Sequence, residues 1–155
     1  MSNEINMTIG VSIVLNKVLT SIIFIDPNPE KPSERILPLS IKYKLQRAKN
    51  MVEKDCIYFE NEKAKVIKDL GEEKGGDISI PKEKEEEYKS RLLSILQTEV
   101  AHNFIKLKPA DVSDINVEGI STEEVSLFMA TLIEDEDLEK DLNTPVSSKK
   151  EDENK

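Results

Sequence analysis

Apolar residues fall at Val11, Val14, Leu15, Val18, Leu19 and Ile22, a spacing of threes and fours that lines one face of a helix. Ile13, Ile23, Phe24 and Ile25 widen that face, which predicts a helix buried on most sides. Ile9, Val11 and Ile13 also alternate, and β-branched residues favour strands. The helical pattern runs longer, so helix is the expectation. Pro27, Pro29, Pro32 and Pro38 follow. Proline removes a donor and fixes φ, which predicts an extended, stiff connector from Asp26 to Pro38.

From Leu39 to Leu70 no Pro or Gly interrupts the chain. Ile41, Leu45, Ala48, Val52, Cys56, Phe59, Val66 and Leu70 form a stripe, with Lys63 filling its one gap. One long helix is predicted, closed by Gly71 as a natural C′ residue. At about 1.5 Å per residue it would run to nearly 50 Å, and it needs a partner helix along much of that length. Gly71, Gly75 and Gly76 mark a turn, and Asp77 to Pro81 reads as a short edge strand closed by proline. A Lys/Glu helix is predicted from about Pro81 to His102, with Tyr88, Leu92, Ile95, Leu96 and Val100 on its apolar side. The two helices should form an antiparallel hairpin.

Phe104 to Leu107 is a strand candidate stopped by Pro109, and Ile115 to Ile120 is either another or an irregular loop. Ser121-Thr122-Glu123-Glu124 is a capping box, and the helix it starts carries Val125, Phe128, Met129, Leu132 and Ile133. After Glu134 the periodicity stops in an acidic, then Ser/Lys/Glu/Asn-rich run. The expected fold is mainly α. A long antiparallel helical hairpin packs with a short N-terminal helix and a C-terminal helix, with a few short β-strands. Residues 1–134 form a single helical domain, and 135–155 a disordered acidic tail.

Composition narrows the function. With aromatics at 5 % and no Trp, the core must rest on Ile, Leu, Val and Met. The net charge of −9 argues against non-specific nucleic-acid binding, because phosphate affinity comes from Lys and Arg. Ile5 to Ile25 is nearly long enough to span a bilayer, but Lys17 at its centre would cost about 2.5–3.5 kcal/mol there. No basic run precedes it, so neither a membrane span nor a signal peptide is expected. The single cysteine, Cys56, excludes an internal disulfide and fits a reducing compartment such as the cytoplasm.

Candidate chemistry is thin. A zinc site wants several His or Cys ligands, and the chain has one of each, His102 and Cys56. A Cys–His nucleophile pair is formally possible, but Cys56 lies on the apolar stripe, where a thiol behaves as a small hydrophobe. Gly71 to Gly76 lacks the Lys-Ser/Thr ending of a phosphate loop, and Glu134 to Asp137 lacks the spacing of a calcium loop. No catalytic residue, metal or cofactor is expected. Lys42, Lys44, Arg47, Lys49 and Lys54 give the start of the long helix a positive bias. They are the candidate contact for a partner or nucleic acid, set against the plain alternative of solubilising residues paired with Glu one turn away.

The layout is an apolar helix, a break, the Leu39 to Leu70 helix, a glycine turn with a short strand, and a Lys/Glu helix. It ends on Ile120-Ser121-Thr122-Glu123-Glu124-Val125-Ser126-Leu127-Phe128. Over about residues 8 to 134 this resembles an uncharacterised family of small proteins encoded by tailed phages and prophages of low-GC Gram-positive bacteria. The resemblance implies a phage accessory in the host cytoplasm and transfers no functional residue. The expected function is a non-enzymatic protein–protein interaction protein, acting in assembly or inhibiting a host protein. Homo-oligomerisation is expected from the under-covered long helix. The alternative is a nucleic-acid-associated regulator using the basic start of that helix.

Overall fold

The computed structural model describes residues 4–26, 28 and 30–134. The acidic tail expected over 135–155 lies outside the described residues. The fold is mainly α, as the sequence predicts, and among the described residues three two-stranded ladders tie its helices together.

The first departure comes at once. Strand β1 (Glu4–Thr8) precedes helix α1 (Ile9–Ile23), so the apolar segment is not helical throughout. The competing strand pattern at Ile9 to Ile13 does not form. The strand stops at Thr8, whose hydroxyl accepts from the Val11 amide at 3.2 Å and caps the helix. The far end of α1 is capped by a residue distant in sequence. Arg35 donates from Nε to the Ile22 carbonyl at 2.8 Å and from Nη2 to that of Ser21 at 3.3 Å, and its amide reaches the Ile23 carbonyl at 2.7 Å. Carbonyls of the last helical turn lack partners within the helix, and a cation is favoured there. The connector is therefore folded back rather than simply extended. Strand β2 (Phe24–Asp26) pairs with β3 (Ser33–Glu34) and delivers Arg35 to its cap.

Helix α2 spans Leu39–Leu70, the predicted bounds. Pro38 cannot continue a helix toward its N-terminal side, and Gly71 ends it. Gly71 is not the expected left-handed C′ residue, because its φ is −77°. Glycine is required there for space: a Cβ would lie 2.5 Å from the Ile67 carbonyl oxygen and 2.5 Å from Ile78 Cγ2. Positive φ belongs to Gly75 (59°) and Gly76 (92°), which turn β4 (Glu72–Lys74) into β5 (Asp77–Ser79). Two residues with φ > 0 suit a tight hairpin turn that only glycine adopts freely.

Helix α3 is shorter than predicted. A 3-10 turn over Lys82–Lys84 leads into Glu85–Leu96. Arg91 meets Asp69 at 3.1 Å near the hairpin end, and the Thr98 carbonyl accepts from the Ile9 amide at 2.9 Å, so α3 runs back along α2 to the start of α1. The segment predicted as its last turns is instead strand β6 (Glu99–Asn103), paired antiparallel with β1 in the register Glu4↔Asn103 to Thr8↔Glu99. The strand candidate Phe104 to Leu107 is not a strand. Leu107 forms a single parallel bridge to Ile133, which ties this segment to the last helix. A short helix α4 (Pro109–Val112) and an irregular loop over 113–120 follow, then α5 (Thr122–Leu132).

The core forms around α1, which packs against α2 on one side and α5 on the other. Leu15, Leu19, Leu45, Val52, Leu107 and Leu132 are fully enclosed in it. Val66 and Leu70 are buried farther along α2, on the half that α3 covers. The inner stripe of the long helix is thus covered half by α1 and half by α3. Among the described residues, no helix is long and apolar enough to cross a membrane.

The capping box forms as read: Ser121 Oγ accepts from the Glu124 amide at 3.2 Å, and Glu124 accepts from the Ser121 amide at 2.9 Å. Lys17 of α1 also donates to Glu124 at 2.9 Å, which joins α1 to α5. That bond, and then the one from the Ser121 amide, holds the Glu124 carboxyl below its ordinary pKa. The contribution is present above the unfolded-state pKa and is lost as pH falls through the folded one. Ser121→Ala is expected to cost about 1 kcal/mol in urea denaturation. Lys17→Ala is expected to lower stability slightly at neutral pH and to converge with the wild type at low pH, where Glu124 is protonated in both, so that the acid limb of the stability–pH curve flattens.

Candidate functional site

The five basic residues singled out in the sequence all lie on α2, but they do not form one stripe. Lys42 and Lys49, two turns apart, share one side; Arg47 and Lys54, also two turns apart, share another; Lys44 stands on a third. Three of them are engaged. Lys42 meets Glu34 at 2.7 Å, Lys49 meets Glu53 one turn on at 2.9 Å, and Arg47 donates to the Asn103 carbonyl at 3.3 Å. Lys44 and Lys54 make no ion pair among the described residues. A phosphate backbone needs several cations on one surface, and this arrangement does not present them.

The outward side of the same helix is the surprise. Opposite the buried stripe, Leu39 is 83 % exposed, Tyr43 59 % and Ile57 56 %. Tyr58 flanks them, and Ile36, just before the helix, is almost entirely in solvent. Gln46, Asn50 and Asn61 fill the positions between at helical spacing. One residue of the row from Leu39 to Asn61 is charged, Lys54, in a chain where 34 % of residues are. Single exposed apolar residues are ordinary, and these stand out only by sharing one nearly uncharged face of the helix.

The densest polar cluster lies elsewhere. His102 of β6, Asp55 of α2 and Ser12 of α1 converge where these elements meet. His102 Nε2 is 2.6 Å from Asp55 Oδ2 and 3.5 Å from Ser12 Oγ. The ring stacks on Phe104, with centroids 5.5 Å apart at 21°. The residue types match a hydrolase triad; the geometry does not. In a triad the carboxylate binds one ring nitrogen and the serine faces the other. Here both meet Nε2. A carboxylate accepts, so Nε2 carries the hydrogen and offers Ser12 no lone pair. Ser12 is also fully buried, out of reach of a substrate. One turn beyond it, Asn16 Oδ1 is buried without a hydrogen-bond partner.

Cys56 does not pair with His102; its neighbour Asp55 takes that place. Burial, then the fields of Asp55 and Glu53, push the Cys56 thiol above its ordinary pKa. It therefore stays a thiol at neutral pH, a poor nucleophile. Among the described residues no three His, Cys, Asp or Glu side chains gather to hold a metal ion. A cleft of about 310 Å³ opens between α1, α5 and the 112–120 loop, bounded by Val18, Ile22, Ile115, Val117 and Phe128. Asn116 is its one polar side chain and no titratable group lines it, so it holds nothing for acid–base work.

Sequence reasoning missed the outward row. Its signal was present but mixed: once the buried stripe is assigned, Leu39, Tyr43, Ile57 and Tyr58 are left over, together with Met51, Ala64 and Ile67. The Ser12–His102–Asp55 cluster left no such signal, because its members are separated by most of the chain. No protein family, curated protein or solved structure matches this chain.

Proposed function

We propose that the chain is a non-enzymatic protein–protein interaction protein, a phage accessory of the host cytoplasm, and that it binds through the outward face of α2. The observation that carries this reading is the exposure of Leu39, Tyr43 and Ile57 in one nearly uncharged row, on a helix whose opposite face is buried toward both ends. The buried Ser12 and the Nε2 shared between Ser12 and Asp55 support a non-enzymatic role. The engagement of Lys42, Arg47 and Lys49 within the chain weighs against nucleic acid as the partner.

The test is a tagged pull-down from the native host and from infected cells, read by mass spectrometry, with Tyr43→Glu alongside. The expected result is a specific protein retained by the wild type and lost by the variant. Capsid or tail proteins would assign the chain to assembly, and a single host protein would assign it to inhibition. The same proteins retained by both forms would reject α2 as the binding face.

A further inference from the structure

We infer that the outward face of α2 takes a second copy of this chain, laid antiparallel with Asn50 on the twofold axis. The inference rests on reading that face as an interaction surface, and it names the occupant.

The argument starts from spacing. Counting outward from Asn50, the row meets Gln46 and Lys54, then Tyr43 and Ile57, then Leu39 and Asn61. The steps are four, three and four residues in both directions. A row of this kind maps onto itself when the helix is turned end over end about Asn50. A twofold interface requires such a match, because each patch must complement its own image. Tyr43 of one copy then lies on Ile57 of the other, twice over. Leu39 lies over Asn61.

Charge selects the same arrangement. Residues 42–49 hold four cations and no anion; residues 53–62 hold Glu53, Glu60 and Glu62 against Lys54, with Asp55 turned inward to His102. A parallel pair would set like halves together. The antiparallel pair sets the basic half of each copy against the acidic half of the other. The flank carrying Lys42, Lys49, Glu53 and Glu60 is kept on one side by the twofold rotation. Lys42, which keeps part of its side chain in solvent beside Glu34, therefore falls beside Glu60 of the second copy, while Lys49 stays with Glu53 of its own chain.

The polar centre fits as well. Gln46 donates its amide to Asn50 Oδ1 at 3.0 Å within the chain. That leaves the Gln46 carbonyl to accept from Lys54 of the second copy, and the Asn50 amide to donate across the axis to its image. A central asparagine in a helix seam fixes register at some expense of stability.

Size-exclusion chromatography with light scattering on the full chain is the test. The expected mass is twice 17.6 kDa. Tyr43→Glu and Ile57→Glu should each return it to the single mass with unchanged helical circular dichroism. Leu93→Glu, exposed on α3, should leave the dimer intact. In a Cys56→Ser background, Asn50→Cys should cross-link to its image with a short bismaleimide and Asn61→Cys should not. A wild type at the single mass across micromolar concentrations overturns the inference. So does a dimer that survives both glutamate variants, or one that links through Asn61→Cys instead of Asn50→Cys. A monomer that still retains a partner through Tyr43 rejects the second copy and leaves the proposed function standing.

Discussion

Leu45→Ala is expected to lower folding stability by about 2–5 kcal/mol, the range for a buried leucine whose site cannot collapse. Leu45 is fully enclosed on the inner face of α2, in the same cluster as Leu15 and Leu19 of α1. Helix α1 cannot move into the space left behind, because α5 holds its other side and the β1–β6 ladder and Arg35 fix its two ends. In the single-chain Tyr43→Glu background, Leu39→Ala on the same helix should change stability by no more than about 0.5 kcal/mol, since that side chain is then mostly in water. Urea denaturation of the two variants gives the comparison. Equal losses would mean that α2 faces the core differently from the description above.

The second large effect concerns His102 and Asp55. Their side chains are 10 % and 14 % exposed. Asp55→Ala removes the acceptor of a 2.6 Å bond and strands the ring nitrogen in a mostly buried place. An unsatisfied buried donor costs about 1–3 kcal/mol. His102→Ala should cost more, because the stack on Phe104 goes with it. The double variant should cost less than the sum, by a coupling of about 0.5–3 kcal/mol. Strict additivity in denaturant titrations would show that the contact contributes nothing. The pair joins β6 to α2, so the loss should also appear as faster amide exchange in both β1 and β6.

What the sequence revealed was local. The bounds of α2 follow from an apolar stripe that no Pro or Gly interrupts between Pro38 and Gly71, and the start of α5 follows from Ser121 and Glu124 three residues apart. What it hid depended on distant partners. Strand β6 continues the apolar pattern of α3 through Val100, and the switch from a period of 3.6 to a period of two occupies five residues. Its reason for being a strand is β1, at the other end of the described chain. The connector's folding back likewise depends on the free carbonyls of α1, which no local pattern announces. The basic cluster was visible as residues, while the engagement of Lys42 by Glu34 and of Arg47 by the Asn103 carbonyl was not. The outward row of α2 was legible as what the core did not use, but its exposure could be judged only once α1 and α3 were seen to cover the opposite face.

The β1–β6 ladder has a consequence for synthesis. Glu4 to Thr8 leaves the ribosome well before its partner, Glu99 to Asn103, which follows some 95 residues later. At about 5–20 residues per second, the first strand waits roughly 5–20 s for its mate. Helix α1, made next, carries much of the chain's buried apolar surface and can meet α2 well before α3 exists. The nascent chain therefore passes through a stage in which two helices have docked and an unpaired strand edge stands beside them. Such edges recruit other strands. A slow stretch of translation after α2 would prolong that exposure, whereas one after residue 103 would come too late to matter.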